Sequence, residues 1–175
     1  CINFDLAVDM TREYTASRME EASGVVRLQD PLVLSYPGRS CELLAQCIAF
    51  DLDADGRAEQ IPTLAEGSGF LVFDRNANGR ADDGKELFGV ASGNGFADLA
   101  KLDGDGNGWI DEADSDWARL ALWSGERFES LTAAGYGAIY TAAVYAEFAL
   151  NSTGDALVGQ IRAAGIYLTE AGEAG

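Results

Sequence analysis

Three short segments of the chain carry acidic or amide side chains at alternate positions and end in glycine. Side-chain oxygens held this close together repel one another unless a positive charge lies among them, and Ca2+ is a hard cation that prefers oxygen ligands. The pattern therefore predicts three calcium-binding segments. We call them loop 1 (Asp51-Leu-Asp53-Ala-Asp55-Gly56 and on to residue 59), loop 2 (Asp74-Arg-Asn76-Ala-Asn78-Gly79 and on to residue 86) and loop 3 (Asp103-Gly-Asp105-Gly-Asn107-Gly108 and on to residue 114).

Loop 3 fits the twelve-residue EF-hand calcium loop at every position. In that loop, oxygens come from side chains at positions 1, 3 and 5, the backbone carbonyl at 7, a water or side chain at 9 and a carboxylate at 12, with glycine at 6. Ile110 at position 8 supplies the apolar side chain that pins such a loop to its neighbour. An aspartate at position 12 is shorter than glutamate, so we expect a modest affinity. The predicted ligands are Asp103, Asp105, Asn107, the Trp109 carbonyl, Asp111 and Asp114.

Loop 2 keeps the same register as far as position 9 and departs from it at the end. Position 12 is Lys85, so we expect Glu86 to close the site from an extended loop, with Asp83 as a second candidate. An ordinary Asn/Gly turn is the alternative interpretation. The predicted ligands are Asp74, Asn76, Asn78, the Arg80 carbonyl, Asp82, Asp83 and Glu86.

Loop 1 has Pro62 at position 12 and so no closing carboxylate in register. Either Glu66 or an acid from another loop completes the site, or the segment is an acidic turn held by hydrogen bonds from the backbone to its side chains. The predicted ligands, conditional on that closure, are Asp51, Asp53, Asp55, the Arg57 carbonyl and Glu59.

The charge of the chain is concentrated around these loops. The net charge is -17, and residues 51–116 hold 16 acidic and 5 basic residues, a net of -11. Such a surface repels the phosphates of nucleic acids and of anionic lipids. No apolar run is long enough for a transmembrane helix. We therefore expect calcium ions as partners, and neither nucleic acid nor a membrane span.

The chain has no histidine, and this excludes the usual zinc, copper and non-haem iron sites together with catalytic triads that use imidazole. We expect a protein that is not an enzyme, because the oxygen ligands are redundant and no nucleophile, base or oxyanion site lies beside them. The cysteines are Cys1, Cys41 and Cys47, which leave an odd thiol. Cys41 and Cys47 are close enough for a disulfide across a hairpin, and the sequence leaves that bond open.

The elements that must position the loops are read from hydrophobic periodicity. Alternation over residues 2–10 predicts a strand, and residues 24–28, 31–34 and 70–73 are typical of further strands. Helical spacing predicts helices over residues 95–102 and 114–123 on the two sides of loop 3, and a short helix over 130–134. Residues 138–150 and 157–168 are predicted to pair as a hairpin with a turn at 151–154.

These elements predict an α+β fold with a central EF-hand-like calcium-loop core, short helices and flanking N-terminal and C-terminal antiparallel β-strands. We expect a single domain. Its parts would be a β-rich segment over residues 1–50, the calcium-binding core over 51–124, and a short helix with a β-hairpin over 125–175.

Residues 73–89 and 95–114 resemble the EF-hand-like calcium module of large secreted bacterial proteins, which includes the self-processing segment of iron-regulated RTX proteins. The resemblance runs from about residue 30 to residue 123 and includes Glu86-Leu-Phe-Gly89. It implies a secreted or cell-surface protein, with a cytoplasmic location left open. In the self-processing members, calcium triggers cleavage of an Asp-Pro bond, and Asp30-Pro31 stands in the matching place. The alternative for that pair is an ordinary turn before a strand.

The leading functional interpretation is a calcium module whose fold is set by the ion. A calcium sensor is a second interpretation, although sensors expose a methionine-rich groove and only Met10 and Met19 are present. A third interpretation is a hydrolase or a carbohydrate-binding module that acts through exposed carboxylates or through Trp109, Trp117 and Trp123. The helical spacing of Trp117 and Trp123 predicts that both pack in the core instead.

Overall fold

The computed structural model describes residues 2–7, 28–29, 31–36, 39, 43–151 and 157–175. In these residues the chain is mostly antiparallel β-structure with one short α-helix, α1 (Gly95–Leu99). The strands are β1 (Ile2–Ala7), β2 (Leu28–Gln29), β3 (Leu32–Ser35), β4 (Leu43–Phe50), β5 (Glu59–Leu64), β6 (Ser68–Phe73), β7 (Trp109–Asp111), β8 (Leu120–Trp123), β9 (Phe128–Ser130), β10 (Tyr136–Tyr140), β11 (Val144–Asn151), β12 (Leu157–Ala164) and β13 (Tyr167–Thr169).

The largest sheet has eight strands in the order β11-β12-β1-β3-β6-β8-β9, with β2 paired to β1. A second sheet has the order β13-β10-β7, and β4 and β5 form a separate two-stranded sheet. Every described strand pair is antiparallel. The loops are thus carried mainly by strands: loop 1 joins β4 to β5, loop 2 follows β6, and loop 3 follows α1 and includes β7.

Strands β6 and β8 are buried along their whole length and separate two apolar clusters. Leu71 and Phe73 belong to the first cluster, which also holds Phe96. Phe70 and Val72 belong to the second cluster. Because successive side chains of a strand point to opposite faces, the eight-stranded sheet carries a core on each face here. Loop 2 therefore begins at the end of a strand that is buried along its whole length.

The α+β prediction with a helix–loop–helix calcium core is wrong. The predicted exit helix over residues 114–123 is a short 3-10 turn, Trp117–Arg119, followed by β8. Leu120 to Trp123 is an apolar run buried on both faces, and such a run has no period that separates a strand from a helix. The predicted helix over 130–134 is also wrong, because residues 131–135 form a turn before β10.

Other predicted elements are confirmed. Residues 70–73 lie in β6, and 95–102 form α1 with a following 3-10 turn, Ala100–Leu102. The Asn94 side chain caps α1 by accepting from the Ala97 N–H at 2.9 Å, as polar N-cap residues do. Residues 2–7 form β1, and 157–164 pair with 144–151 as β12 and β11. The predicted strand over 138–150 is two strands, β10 and β11, and the turn over 152–154 lies outside the described residues.

Candidate metal centre

All three loops fold around the carboxylate at their first position. In each loop, that carboxylate accepts hydrogen bonds from the backbone N–H groups of positions 5 and 6, so the chain wraps back over its own acidic side chain. The acceptors and their donors are Asp51 with Asp55 (3.0 Å) and Gly56 (3.0 Å), Asp74 with Asn78 (3.1 Å) and Gly79 (2.8 Å), and Asp103 with Asn107 (3.2 Å) and Gly108 (2.9 Å).

The side chains at positions 3 and 5 form a second common feature. Each accepts a hydrogen bond from the backbone N–H two residues further on, which is the Asx-turn contact that aspartate and asparagine favour. One oxygen of every such side chain is therefore held at the inside of the loop. The acceptors and donors are Asp53 and Asp55 (3.2 Å), Asp55 and Arg57 (2.8 Å), Asn76 and Asn78 (3.1 Å), Asn78 and Arg80 (3.1 Å), Asp105 and Asn107 (3.0 Å), and Asn107 and Trp109 (2.6 Å).

Position 4 of every loop has a left-handed backbone conformation. Ala54 and Ala77 both have φ of 57°, and Gly106 has φ of 74°. A side chain in this region costs on the order of 1 kcal/mol, and the two alanines are the only residues other than glycine that adopt it in the described chain. The same turn is therefore imposed in all three loops by their shared hydrogen bonds.

One carboxylate closes each loop by accepting from the N–H at position 2. In loop 1 this closing carboxylate is Glu59, which accepts from Leu52 at 2.7 Å. Glu59 thus lies where sequence reasoning looked for Glu66 or for an acid from another loop. In loop 2 it is Glu86, which accepts from Arg75 and Asp82 (both 3.0 Å), and in loop 3 it is Asp114, which accepts from Gly104 (2.7 Å) and Asp111 (3.0 Å).

The donor set of the loops is oxygen throughout. In loop 1, carboxylate oxygens of Asp51, Asp53, Asp55 and Glu59 all lie within 4.8 Å of one another. In loop 3, those of Asp103, Asp105 and Asp114 do so as well. Loop 2 replaces two carboxylates with Asn76 and Asn78. Carboxylate and amide oxygens without nitrogen or sulfur ligands suit Ca2+ or Mg2+ rather than zinc or copper.

Three of the carboxylates are buried, which is unusual for acidic side chains. Asp74 is 7%, Glu86 4% and Asp114 5% exposed. Within the described residues none of the three forms an ion pair with lysine or arginine. Burying a charged group without a countercharge is costly even when it accepts hydrogen bonds. This arrangement therefore fits a cation bound among the loop oxygens.

Asp82 is the centre of a polar cluster in loop 2. Its carboxylate accepts from the side-chain amides of Asn76 (2.8 Å) and Asn78 (2.6 Å) and forms an ion pair with Arg80 (2.6 Å). The hydrogen bond from Asn76, together with those from Asn78 and Arg80, lowers the pKa of Asp82 below its ordinary value. The carboxylate is therefore ionised at neutral pH. Asp83 instead accepts from the Lys85 N–H at 2.8 Å and caps the 3-10 turn Gly84–Glu86.

Loop 2 is anchored by two residues that sequence reasoning missed. The Arg119 guanidinium donates to the carbonyl oxygens of Asp74 (3.1 Å) and Arg75 and lies 4.5 Å from the Phe73 ring centroid. The Gly84 N–H donates to the Asp51 carbonyl of loop 1 at 2.9 Å. The sequence marks these two residues only weakly: Arg119 is a single arginine after an acidic segment, and Gly84 is a glycine outside the repeated pattern.

Asp98 connects the segment after loop 2 to the helix before loop 3. Its carboxylate accepts from the Gly89 N–H (3.1 Å), the Ser92 hydroxyl (2.5 Å) and the Lys101 ammonium (2.6 Å). Burial raises the pKa of Asp98, but the hydrogen bonds from Lys101, Ser92 and Gly89 outweigh it and leave the pKa below its ordinary value.

Loop 3 is pinned to strand β10 through β7. Ile110 is fully buried and pairs with Ile139, and the Gly108 carbonyl accepts from both the N–H and the hydroxyl of Thr141 at 2.9 Å. The Trp109 and Tyr140 ring centroids are 4.8 Å apart. The neighbour to which Ile110 pins loop 3 is therefore strand β10.

The remaining predicted residues lie elsewhere. Trp117 and Trp123 are buried in the first and second apolar clusters, as expected for core residues. Asp30, Cys1 and Cys41 lie outside the described residues, while Pro31 is buried and Cys47 is exposed. Among the described residues, no helix has the length and hydropathy needed to cross a bilayer.

Comparison with known proteins finds a family and a relative that bear on the loops. The family described as SPM domain matches residues 32–153, a range that contains all three loops and their closing carboxylates. The iron-regulated protein FrpA of Neisseria meningitidis serogroup C is 35% identical over 113 residues, which are 58% of this chain and 10% of that protein. The chain thus spans about a tenth of the length of this relative. Neither name denotes an enzyme, and the relative agrees with the predicted resemblance to iron-regulated proteins.

Proposed function

The chain belongs to the SPM domain family, and we propose that it binds calcium ions at loops 1, 2 and 3 as structural ions of its β-fold. The observation that carries this proposal is the burial of Asp74, Glu86 and Asp114 without a basic partner in the described chain. A bound cation removes the cost of these charges, and a family match that includes the loops agrees with a role in the fold itself.

The proposed ligands are oxygens that the loops already hold on their inner side. A bound calcium ion would supply positive charge among these side chains, and backbone N–H contacts hold the first and the closing carboxylate of each loop in place. The ligands would be Asp51, Asp53, Asp55, the Arg57 carbonyl and Glu59 in loop 1; Asp74, Asn76, Asn78, the Arg80 carbonyl, Asp82 and Glu86 in loop 2; and Asp103, Asp105, Asn107, the Trp109 carbonyl, Asp111 and Asp114 in loop 3.

A structural role fits a secreted or cell-surface location, which we also propose. Extracellular calcium modules work with weak sites because calcium is abundant there, whereas sensors need tighter sites. Loop 3 closes with an aspartate, and loop 1 closes with a partly exposed glutamate. Both features favour modest affinity.

Titration of the chelated protein with calcium tests this function. The backbone N–H groups of Gly56, Gly79 and Gly108 donate to the first carboxylate of their loops, so their NMR resonances report each site separately. We expect all three resonances to shift with saturation, and calorimetry to give up to three ions per chain. Glu112→Gln is the matched control, because it removes an exposed charge of loop 3 that holds no ligand position. Unchanged resonances at millimolar calcium would reject the proposal.

Self-processing at the Asp30-Pro31 bond is a second candidate, and one contact favours it. The Leu32 N–H donates to the Phe88 carbonyl at 3.2 Å, and Phe88 follows the closing carboxylate Glu86 by two residues. Ordering of loop 2 would therefore act on the residue beside the bond. The Asp30 carboxyl would attack its own carbonyl carbon, the proline nitrogen would leave with a proton, and water would open the resulting anhydride.

Incubation with calcium followed by mass spectrometry tests this second candidate. We expect fragments 1–30 and 31–175 with calcium and none with a chelator. Asp30→Ala must abolish the fragments and Glu112→Gln must keep them. An intact chain at saturating calcium excludes self-processing and leaves the structural role of calcium untouched.

A further inference from the structure

We propose that loops 1 and 2 bind their ions cooperatively, and that Gly84 is the positioning residue that couples them. This inference rests on the proposed calcium binding and adds a dependence of loop 1 on loop 2. It is carried by one peptide unit, between Asp51 and Leu52, that contacts both loops.

The peptide unit 51–52 is held at both ends. Its carbonyl, from Asp51, accepts from the Gly84 N–H at 2.9 Å. Its N–H, from Leu52, donates to the closing carboxylate Glu59 at 2.7 Å. A peptide hydrogen-bonded at both ends is polarised, so each bond strengthens the other. The position of Glu59 in loop 1 therefore depends on Gly84.

Gly84 in turn depends on loop 2. It begins the 3-10 turn Gly84–Glu86, whose last residue is the closing carboxylate of that loop. Glu86 holds the N–H groups of Arg75 and Asp82, so an ion that fixes Glu86 also fixes the turn. Ordering of loop 2 thus holds the Gly84 N–H in place against loop 1. The conformational entropy of the Gly84 turn is lost when the ion of loop 2 binds. The ion of loop 1 then binds a site whose backbone is already ordered.

The fit at Gly84 leaves no room for a side chain. A Cβ at this position would lie 1.7 Å from the Leu52 carbonyl oxygen and 2.6 Å from its carbon, which are backbone atoms that cannot turn aside. The φ angle of Gly84 lies outside the left-handed region, so alanine suits its backbone conformation. Gly84→Ala should therefore break the contact between loop 1 and loop 2 without straining the backbone of the 3-10 turn itself.

Loop 1 has the greater need of this support. Asp51 and Glu59 are partly exposed, whereas Asp74 and Glu86 of loop 2 are buried. Repulsion between two bound ions opposes the coupling, but exposed loop edges and salt weaken it. We expect the net effect to be positive.

The experiment measures the coupling factor in both directions. Loop 1 affinity is read from the Gly56 resonance in the wild type and in Glu86→Gln, which disables loop 2. Loop 2 affinity is read from Gly79 in the wild type and in Glu59→Gln, which disables loop 1. We expect loop 1 to bind calcium about tenfold more weakly when loop 2 is disabled. Loop 2 should bind calcium more weakly by the same factor when loop 1 is disabled, because linkage is reciprocal.

Gly84→Ala is then combined with each variant. We expect the factor to fall to about one, while loop 3 affinity, read from Gly108, stays at its wild-type value as an internal control. A factor of one in the wild type overturns the inference, and so does an undiminished factor in a folded Gly84→Ala protein. If Gly84→Ala does not fold, the wild-type factor alone decides. Absence of any calcium-induced shift is a different result, since it rejects the proposed function itself.

Discussion

Loop 1 and loops 2 and 3 share one hydrogen-bond pattern but lie in different surroundings. Loop 1 sits at the tip of the two-stranded sheet of β4 and β5, and its closing carboxylate Glu59 is partly exposed. Along the chain, loops 2 and 3 follow the buried strand β6 and precede the buried strand β8. Their closing carboxylates, Glu86 and Asp114, are buried. A common ligand pattern therefore does not imply a common need for the ion.

The difference is physical. An exposed carboxylate cluster is stabilised by water and by mobile counterions, so its empty state costs little. A buried carboxylate has neither, and its empty state costs the desolvation of a charge. The hydrogen-bond pattern determines which atoms can hold the ion, and burial determines how strongly the fold requires it.

Removal of calcium should have the largest effect on stability, and its effect should differ between loop 1 and loops 2 and 3. Binding well above the dissociation constant stabilises the native state by several kcal/mol, so we expect chelation to lower the melting temperature by about 10 °C or more. Hydrogen exchange should then show the greatest loss of protection at Gly79 and Gly108 and the smallest at Gly56. Circular dichroism melts and exchange measurements with and without chelator check both parts. An unchanged transition would remove the basis of the comparison.

Substitution of the closing carboxylates should likewise lower the free energy of unfolding more in loops 2 and 3 than in loop 1. Glu86→Gln and Asp114→Asn each leave an amide facing two backbone N–H donors, so one donor loses its acceptor in addition to the weakened ion binding, and we expect a loss of about 2 kcal/mol or more in the presence of calcium. Glu59→Gln faces one donor, which the amide oxygen can still satisfy, so only the ion binding of loop 1 is weakened and the loss should be smaller by at least about 1 kcal/mol. Urea unfolding at saturating calcium measures these losses. Equal losses at all three positions would contradict the role given to burial.

Asp98 offers a pH test of the connection between loops 2 and 3. Its pKa is lowered in the native state, so its contribution is complete above the unfolded value of about 3.9 and is lost as the pH falls through the native value. We expect Asp98→Asn to cost about 1 kcal/mol at pH 7 in chelator, and the difference from wild type to vanish in stronger acid. Loop 1 affinity should stay the same. A cost that persists in acid would assign the effect to packing instead.

The smallest effect is expected at position 5, where only loop 1 has an aspartate. Asp55→Asn keeps the acceptor for the Arg57 N–H and removes one charge, so in chelator it should raise the free energy of unfolding by about 0.3 kcal/mol. The affinity of loop 1 for calcium should fall about threefold, since ligand charge tunes affinity. Asn107→Asp in loop 3 is the matched reverse change and should act in the opposite directions. The same sign for both variants would contradict the charge argument.

The sequence predicts the shared backbone turn of the loops well because the spacing of their polar residues is tied to the backbone conformation. Alternate oxygens followed by glycine reflect the turn that Ala54 and Ala77 adopt at position 4, and the turn is the same whatever elements flank it. The flanking elements are another matter. Residues 120–123 form a buried apolar run without a period, so the sequence pattern predicts a helix where the structure has β8.

The residue that closes loop 1 could not be identified by counting positions in the sequence either. The EF-hand register assumes that a helix follows the loop, and here β5 begins at Glu59 and returns along β4. That hairpin brings Glu59 to the Leu52 N–H well before the twelfth position. Contacts made by Gly84 and Arg119 depend on how separate strands meet, which no local pattern records.

Strands β6 and β8 are neighbours in the sheet, yet the chain between them comprises loop 2, α1 and loop 3. Their pairing runs from Phe70 opposite Trp123 to Phe73 opposite Leu120, and the Asp74 N–H extends it by donating to the Arg119 carbonyl. Closing so long a disordered segment is entropically expensive and slows folding. Ordering of the two loops by ions shortens the free chain before the strands meet. Calcium should therefore set how fast the centre of the sheet assembles, as well as how stable it is once formed.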